Sequence, residues 1–393
     1  MQDHTQLDTG YFQRDACDIG AFREIIRRRT KASDAPTATQ VQKNVPVYEM
    51  RSLEPALKQP DGRKRLMSEW AHILLRGAGA VVLQNAFQQT EVIDRATDIY
   101  EKIIAAERLE NGGGADHFAA SGANDRIWNS LQKLCEKSPE TCLSYFANVP
   151  IAAICEAWLG PGFQMTAQVN VVHPGGAAQE AHRDYHLGFQ TTEQSLSYPA
   201  HVHALSPVLT LQGAIAHCDM PVESGPTKLL PHSQLYAAGY AAFRRSDFRA
   251  CFEENCVQLP LRKGDALFFN PALFHAAGAN ETEDIHRMAN LLQISSAFGR
   301  AMETVDRSAL CKRVYPVAVA MQAVGSLTPS QISAAIACLA EGYPFPTNLD
   351  RDPPSGGLAP ETQAGFFARA LREGMDAPAI SRHLAQMDTK RRA

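Results

Sequence analysis

A mainly β core framed by helices is the fold class the sequence predicts. Short apolar and β-branched runs, punctuated by Gly, Pro and Asn, fill residues 162–296. Apolar residues at helical spacing precede that region, and capped helical segments follow residue 300. With 393 residues, 45% of them hydrophobic and 20% charged, the chain is long enough for one large core with additions or for two domains.

The elements divide into three stretches. Residues 1–60 read as an N-terminal extension, with one short helix in "DIGAFREIIRRRT" and a loop or linker in "KASDAPTATQVQKNVP". Residues 61–300 form the main domain. It opens with a helix in "KRLMSEWAHILLR", a short buried strand in "GAGAVVLQNAF" and a second helix from Thr90 to about Arg108. "NGGGADHFAASGANDRIWNSLQ" reads as a mobile loop and a lid candidate, and its glycines lack the GxGxxG or GxxxxGK spacing that cradles phosphates. The predicted strands are "FQMTAQVNVVH", "VLTLQGAIAH", "CVQLPL", "DALFFN" and "ANLLQIS", while the charged "FRRSDFRACFEEN" reads as a solvated loop or helix face. Residues 301–393 form a helical C-terminal extension packed on the core. There Thr328 is the N-cap, Pro329 opens the first turn, Gln331 completes a capping box and Gly342 is the stop. "YPFPTNLDRDPPSGGLAPE" is a long extended loop, and "ETQAGFFARALREG" is a further helix.

Charge and composition exclude several functions. A formal charge of −4, a pI near 6.4 and the lack of a long Lys/Arg run argue against nucleic acid as a partner. The opening "MQDHTQLDTGYFQRDACDIG" has no basic stretch followed by an apolar core, and no eighteen apolar residues run together. No membrane association and a cytoplasmic location are the default expectations. Nine scattered cysteines, never in CxxC, read as idle or buried thiols rather than a disulfide framework or zinc knuckle.

The chemistry concentrates in "EAHRDYHLGF". If this is a strand end, His182 and Asp184 project to the same side, because the side-chain period of a strand is two. His275, where the chain leaves the strand in "KGDALFFNPALFHAAGAN", is the best candidate for a third ligand. Two neutral imidazoles and one carboxylate on one face of an octahedron leave three positions open, the arrangement that suits non-haem Fe(II) and O2. Beyond His275, Arg287 opens another apolar strand. A buried guanidinium beside such a site needs a carboxylate, which a 2-oxo dicarboxylic acid would supply.

In "HRD" at 182–184, "DMPVESGPTKLLPHSQ" at 219–234, "GDALFFNPALFHAAGAN" and the trailing Arg287, in that order, the sequence resembles the phytanoyl-CoA dioxygenase-like family of Fe(II)/2-oxoglutarate-dependent oxygenases. The likeness reaches back to "LLRGAGAVVLQNAF" and covers roughly residues 65–300. His232 stands where the family commonly has glycine, and the tail beyond 300 lies outside the resemblance. The resemblance implies a double-stranded β-helix, a cupin-like jelly roll with the metal inside its open end. It implies Fe(II) on His182, Asp184 and His275, with 2-oxoglutarate as cosubstrate and its distal carboxylate on Arg287. O2 is consumed, a small molecule is hydroxylated or desaturated at an unactivated C–H, and succinate and CO2 are released. Asp184 argues against the halogenating variants, which keep that ligand position open. Gln168 and Asn170, on one face of the strand before HxD, become candidates to touch the 1-carboxylate or the substrate.

Blander readings stand beside these. His182 and Asp184 alone read as a surface loop, His275 alone as a core histidine, and Arg287 as a residue paired with Glu281, Glu283 or Asp284. His201, His203 and His217 are rival ligands by residue type, but the HxH of His201 and His203 is followed by Leu, Ser and Pro rather than a carboxylate, and a structural role is favoured for all three. His286 is expected to be exposed; His186, Tyr185 and Phe189 are candidates to line the pocket, as are Arg126 and Trp128 if their loop is a lid. The rival function is a non-redox, cupin-like metal- or ligand-binding protein, from which the triad together with Arg287 distinguishes an oxygenase. The helical tail is compatible with packing on a second subunit in a homo-oligomer.

Overall fold

The computed structural model describes residues 10–111, 123–184 and 190–392. Its centre is a sheet of eight strands. In chain order the strands of the protein are β1 (Gln40–Gln42), β2 (Val45–Glu49), β3 (Ala80–Gln84), β4 (Asn124–Ile127), β5 (Gln164–Val172), β6 (Thr210–Ala216), β7 (Lys228–Leu229), β8 (Ala266–Phe269), β9 (His275–Ala276) and β10 (Arg287–Ser295). The large sheet runs β1-β2-β3-β8-β6-β10-β5-β4, and β7 pairs with β9 in a second, small sheet. Every pair is antiparallel except β2 with β3.

The small sheet is extended on both sides by isolated bridges, His182 opposite His275 and Leu229 opposite Val257, with Met220 opposite Leu261 beyond. "CVQLPL", expected as a strand, supplies only these bridges. Pro260 cannot donate to a ladder, so pairing stays local. Between the two layers lies an apolar cluster that includes Val45, Val47, Val82, Leu229, Leu261, Leu267, Phe269 and Leu273. Two facing layers closed by such a core are the jelly-roll architecture.

Register sorts the large sheet into two unlike faces. The pairings Met165–Ile294, Ala167–Leu292, Leu211–Ile294, Ile215–Ala266 and Val81–Phe268 put those residues on an outer face covered by helices. Trp70 from the helix Pro60–Arg76, Leu310 and Val314 from Arg307–Ala323, and Phe366 from Gln363–Glu373 are buried in the same cluster. Arg307, at the start of the second of these helices, donates to Met165 O of β5 at 2.9 Å. The inner face is apolar at the β2, β3 and β8 end and polar at the other. The pairings Asn170–Ala289, Gln168–Leu291, Arg126–Asn170 and Gln293–Gln212, with Arg287 opposite Val172, gather the polar side chains there. Each buried aliphatic or aromatic side chain contributes roughly 1.5–3 kcal/mol, which offsets the cost of burying that polar end.

Residues 40–49, within the stretch read as an N-terminal extension, supply two strands to this sheet. Gln42 and Val45 face each other across a two-residue turn in which Lys43 and Asn44 have φ of 49° and 70°. That is the left-handed pair a type I′ hairpin requires. Arg126, expected in a lid, lies in β4, and Trp128 sits beside it under its guanidinium, 5.1 Å from the ring centre. The helix opened by Thr328 has its capping box and ends at Leu339, ahead of Gly342. The charged stretch before residue 256 is the helix Ser246–Asn255, with Phe248 and Phe252 buried. The expectations for Tyr185, His186 and Phe189, and for residues 112–122 of the glycine-rich stretch, lie outside the described residues. All nine cysteines are free thiols. Among the described residues no single helix is long and apolar enough to cross a membrane.

Candidate metal centre

His182, Asp184 and His275 come together as the sequence predicts, each offering one ligand atom within 4.8 Å of the others. The chain achieves this by pairing the HxD segment with the distal-histidine strand. His182 N–H donates to His275 O at 2.9 Å and His275 N–H to His182 O at 3.0 Å, while Asp184 N–H donates to Pro271 O at 3.1 Å. His182 and His275 therefore project from one hydrogen-bonded pair, their ring centres 4.4 Å apart.

Both imidazoles are held in one tautomer. Nδ1–H of His182 donates to Glu180 O at 2.9 Å, and Nδ1–H of His275 to Leu273 O at 2.8 Å. That leaves each Nε2 with its lone pair facing the carboxylate: His182 Nε2 is 3.8 Å from Asp184 Oδ1, and His275 Nε2 is 3.7 Å from Asp184 Oδ2. Backbone-anchored Nδ1–H groups are how proteins orient metal-binding histidines. Both separations lie within the span of two metal–ligand bonds of ~2.1 Å, so the three residues fit a divalent cation. The His275 side chain is 6% exposed, against 29% for His182 and 36% for Asp184, so the cluster opens on the HxD side. Burial alone would raise the Asp184 pKa, but His275, His182 and Gln212 outweigh it and keep the carboxyl ionised. Burial and the neighbouring His275 push His182 below the ordinary imidazole range.

Two supporting residues escaped the sequence reading. Gln212, in the middle of β6, donates Nε2–H to Asp184 Oδ2 and lies 3.3 Å from Gln293 Oε1, so the large sheet fixes the carboxylate. A glutamine inside the apolar run "VLTLQGAIAH" was the available signal. Arg183 points the opposite way from its two neighbours and is 4% exposed. Its guanidinium donates to Ser233 O and, at 3.0 Å, to Tyr236 O, between the rings of Tyr240 and Phe274 at 5.3 and 5.0 Å. A Cβ on Gly239 would fall 1.9 Å from its Cζ, so glycine is required where that clamp closes. Phe269, opposite Gln212 in the register, packs on His275 at 4.7 Å between ring centres.

The other predicted residues share the polar inner face. Arg287 is 7% exposed and donates Nη1–H to Gly225 O. It forms no ion pair among the described residues, with Glu281, Glu283 and Asp284 included, and burial pushes its pKa down to about 10. Gly225 has φ +74°, and a Cβ there would meet Ala279 O at 2.2 Å, so only glycine brings this carbonyl to the guanidinium. Gln168 accepts from Arg126 Nη1 at 3.2 Å, whereas the buried Oδ1 of Asn170 has no hydrogen-bond partner. Gln212 Oε1 is likewise buried and unpartnered. Unsatisfied polar atoms beside a metal-ligand cluster point to a polar ligand.

The rival histidines lie elsewhere. His217 is sealed in the core between Thr97 Oγ1 and Tyr145 Oη, each at 2.8 Å. His203 is buried with Nε2 3.2 Å from Tyr198 O, and His201 is exposed on the same helix. His286 is exposed as expected, its Nδ1 2.7 Å from His173 Nδ1.

Residues 75–289 match the family model described as Phytanoyl-CoA dioxygenase (PhyH). Among curated proteins, "Dioxygenase andF" of Emericella variicolor is 30% identical over 139 residues, 34% of this chain and 43% of that protein. "Dioxygenase trt7" of Aspergillus terreus is 27% identical over 125 residues, 32% of this chain and 38% of the relative. The alignments thus span less than half the length of these relatives. Solved structures with similar folds include the non-haem alpha-ketoglutarate-dependent carbocyclase SnoK from nogalamycin biosynthesis, with a TM-score of 0.43, 21% identity, and coverage of 69% of this chain and 92% of that one. The epimerase SnoN from the same biosynthesis has a TM-score of 0.42 and 20% identity, covering 61% of this chain and 85% of its own.

Proposed function

The chain belongs to the phytanoyl-CoA dioxygenase family, and from that premise we propose that it is an Fe(II)- and 2-oxoglutarate-dependent dioxygenase. It hydroxylates, or desaturates, an unactivated C–H of a small-molecule metabolite, with succinate and CO2 as co-products. His182, Asp184 and His275 would hold the iron. Bound there, the ion would supply the redox chemistry that couples O2 reduction and decarboxylation of the oxo acid to oxidation of the substrate.

The chain's own residues do the positioning. Two neutral imidazoles and one carboxylate leave residual positive charge on a divalent ion, which favours an anionic chelating cosubstrate. Gln212 keeps Asp184 aligned, and Arg183 keeps the HxD segment against the distal strand. Arg287 receives the far carboxylate of 2-oxoglutarate: one Nη1–H is spent on Gly225 O, and the remaining donors form the planar fork a carboxylate matches. Asn170 offers Nδ2–H to the 1-carboxylate or its unpartnered Oδ1 to a substrate hydroxyl, and Gln168, with its oxygen taken by Arg126, offers its N–H groups. The apolar cluster between the layers excludes water from one side.

The observation that carries this reading is the pair of backbone-anchored imidazoles aimed at one carboxylate, on a sheet face that also buries an unpaired arginine. A site that only bound metal would have no use for that arginine. The test is anaerobic addition of Fe(II) to the metal-free protein with 2-oxoglutarate. A weak visible charge-transfer band, and succinate on admission of air, are expected; absence of both refutes the proposal.

A further inference from the structure

A second recess, of about 360 Å3, opens where the helix Pro60–Arg76 ends. None of the three metal-ligand candidates lines it. Its wall carries three guanidiniums, Arg28, Arg29 and Arg76, together with His72, His232 and one carboxylate, Asp34, which accepts from Lys31 N at 2.8 Å. Their guanidiniums form no ion pair or hydrogen bond among the described residues, and all three arginines are exposed. The helix end does not use them either. Gly77 N–H donates to His72 O and Ile73 O, Gly79 N–H to Ile73 O, Asn270 Nδ2 to Leu74 O and Gln234 Nε2 to Gly77 O.

His232 sets the recess apart from an ordinary solvated patch. It is 4% exposed and adopts φ +70°, a left-handed conformation that glycine takes freely and a side chain takes only against steric resistance. Its Nε2 lies 3.3 Å from Thr30 Oγ1, and that hydroxyl already donates to Asn44 O at 2.7 Å, so Nε2 must be the donor. Nδ1 is then left buried with no partner. The ring lies beside the Gly77 backbone, whose carbonyl accepts from Gln234 Nε2 at 2.9 Å, but no hydrogen bond of good geometry reaches Nδ1. A buried ring nitrogen with no partner, in a left-handed backbone position beside three exposed guanidiniums, suits a ligand that is both anionic and able to hydrogen-bond imidazole.

We propose that this recess binds a phosphate group, free or as a monoester, held by Arg28, Arg29 and Arg76 and hydrogen-bonded to Nδ1 of His232. A P–OH donates to the neutral ring, which fits hydrogen phosphate or the monoanion of a monoester. Sulfate has no proton to donate near neutral pH, so with the ring neutral the site discriminates between two ions of nearly equal size. Arginine forks match phosphate oxygens two at a time.

Calorimetric titration of the full chain with inorganic phosphate, methyl phosphate and sulfate at pH 6.5, where a share of a monoester (second pKa about 6) still carries its P–OH, tests this. Saturable phosphate binding is expected, with sulfate much weaker. Tighter binding of methyl phosphate identifies a monoester as the ligand, and the reverse order identifies the free ion. Arg28→Gln combined with Arg76→Gln should weaken binding by about tenfold or more, the effect of losing charge-assisted hydrogen bonds. His232→Gly, which suits the backbone, should leave the unfolding temperature equal or higher while weakening phosphate binding. Arg287→Gln should leave phosphate affinity unchanged, separating this site from the oxoglutarate arginine. No saturation below roughly 10 mM, equal binding of sulfate, indifference to the Arg28, Arg76 and His232 variants, or loss on Arg287→Gln would each overturn the proposal.

Discussion

His182 and His275 exchange two backbone hydrogen bonds, of 2.9 and 3.0 Å, so the pairing that joins the HxD segment to the distal strand also aligns the two imidazoles. Their rings need no further scaffold than this bridge and the carbonyls of Glu180 and Leu273. Asp184 is different, because it hangs at the end of the bridge and depends on Gln212 from the opposite layer.

Removing Asp184 therefore tests the metal assignment most directly. Asp184→Ala leaves two imidazoles and no charge, and metal affinity should fall by more than the roughly 10–100-fold typical of lost supporting contacts. Co(II) titration followed by its visible absorption, and succinate release with Fe(II), measure the two consequences. Normal succinate formation in this variant would refute the ligand set.

Gln212 acts only through Asp184, so its removal should be graded. Gln212→Leu is expected to weaken metal binding or turnover by roughly 10–100-fold while leaving the fold intact. Gln212→Glu, which sets a second carboxylate against Asp184, should be worse than Gln212→Leu. A purely structural glutamine would reverse that order or lower thermal stability without changing metal affinity.

Arg287→Gln should raise KM for 2-oxoglutarate by roughly 10–100-fold, the loss of a charge-assisted pair worth about 1.5–3 kcal/mol, with little change in kcat at saturation. Burial lowers the guanidinium to about 10, which keeps it charged throughout the neutral range. Arg287→Lys should recover only part of the loss, because an ammonium lacks the planar fork. An unchanged KM would return Arg287 to a structural role.

How much of this was legible in the sequence follows from how local each signal is. His182, Asp184, His275 and Arg287 were readable because their spacing and order carry the chemistry. Gln212 was not: all seven residues of β6 are buried, so polarity does not alternate along the strand, and only the register with β10 and β8 shows which face it joins. Arg126 was named as a pocket candidate, but its strand was hidden for a related reason, because β4 is a short edge strand next to glycine-rich sequence that reads as loop. The Lys43–Asn44 hairpin was missed because Thr, Ala and Pro around it mimic a linker, although both residues occupy the left-handed region. The phosphate recess is a third kind of case, since Arg28, Arg29, Arg76 and His232 come from three distant segments.

Acid should destabilise this protein through His217. Burial pushes its imidazole down to about 3, against an ordinary value of 6.5, with only a weak opposing pull from Asp94. As pH falls through 6.5 the unfolded chain takes up this proton, but the folded chain does not until about pH 3. The unfolded state then binds more protons, so this contribution is complete above pH 6.5 and lost as pH falls towards 3. Its slope approaches ~1.4 kcal/mol per pH unit. His217→Gln removes the titration and disturbs the bonds to Thr97 and Tyr145, so the variant should be less stable at pH 7.5 by about 1–3 kcal/mol. Between pH 6.5 and 4.5 its urea midpoint should fall less steeply than that of the wild type. Parallel pH profiles for the two proteins would show that His217 is not the group that titrates.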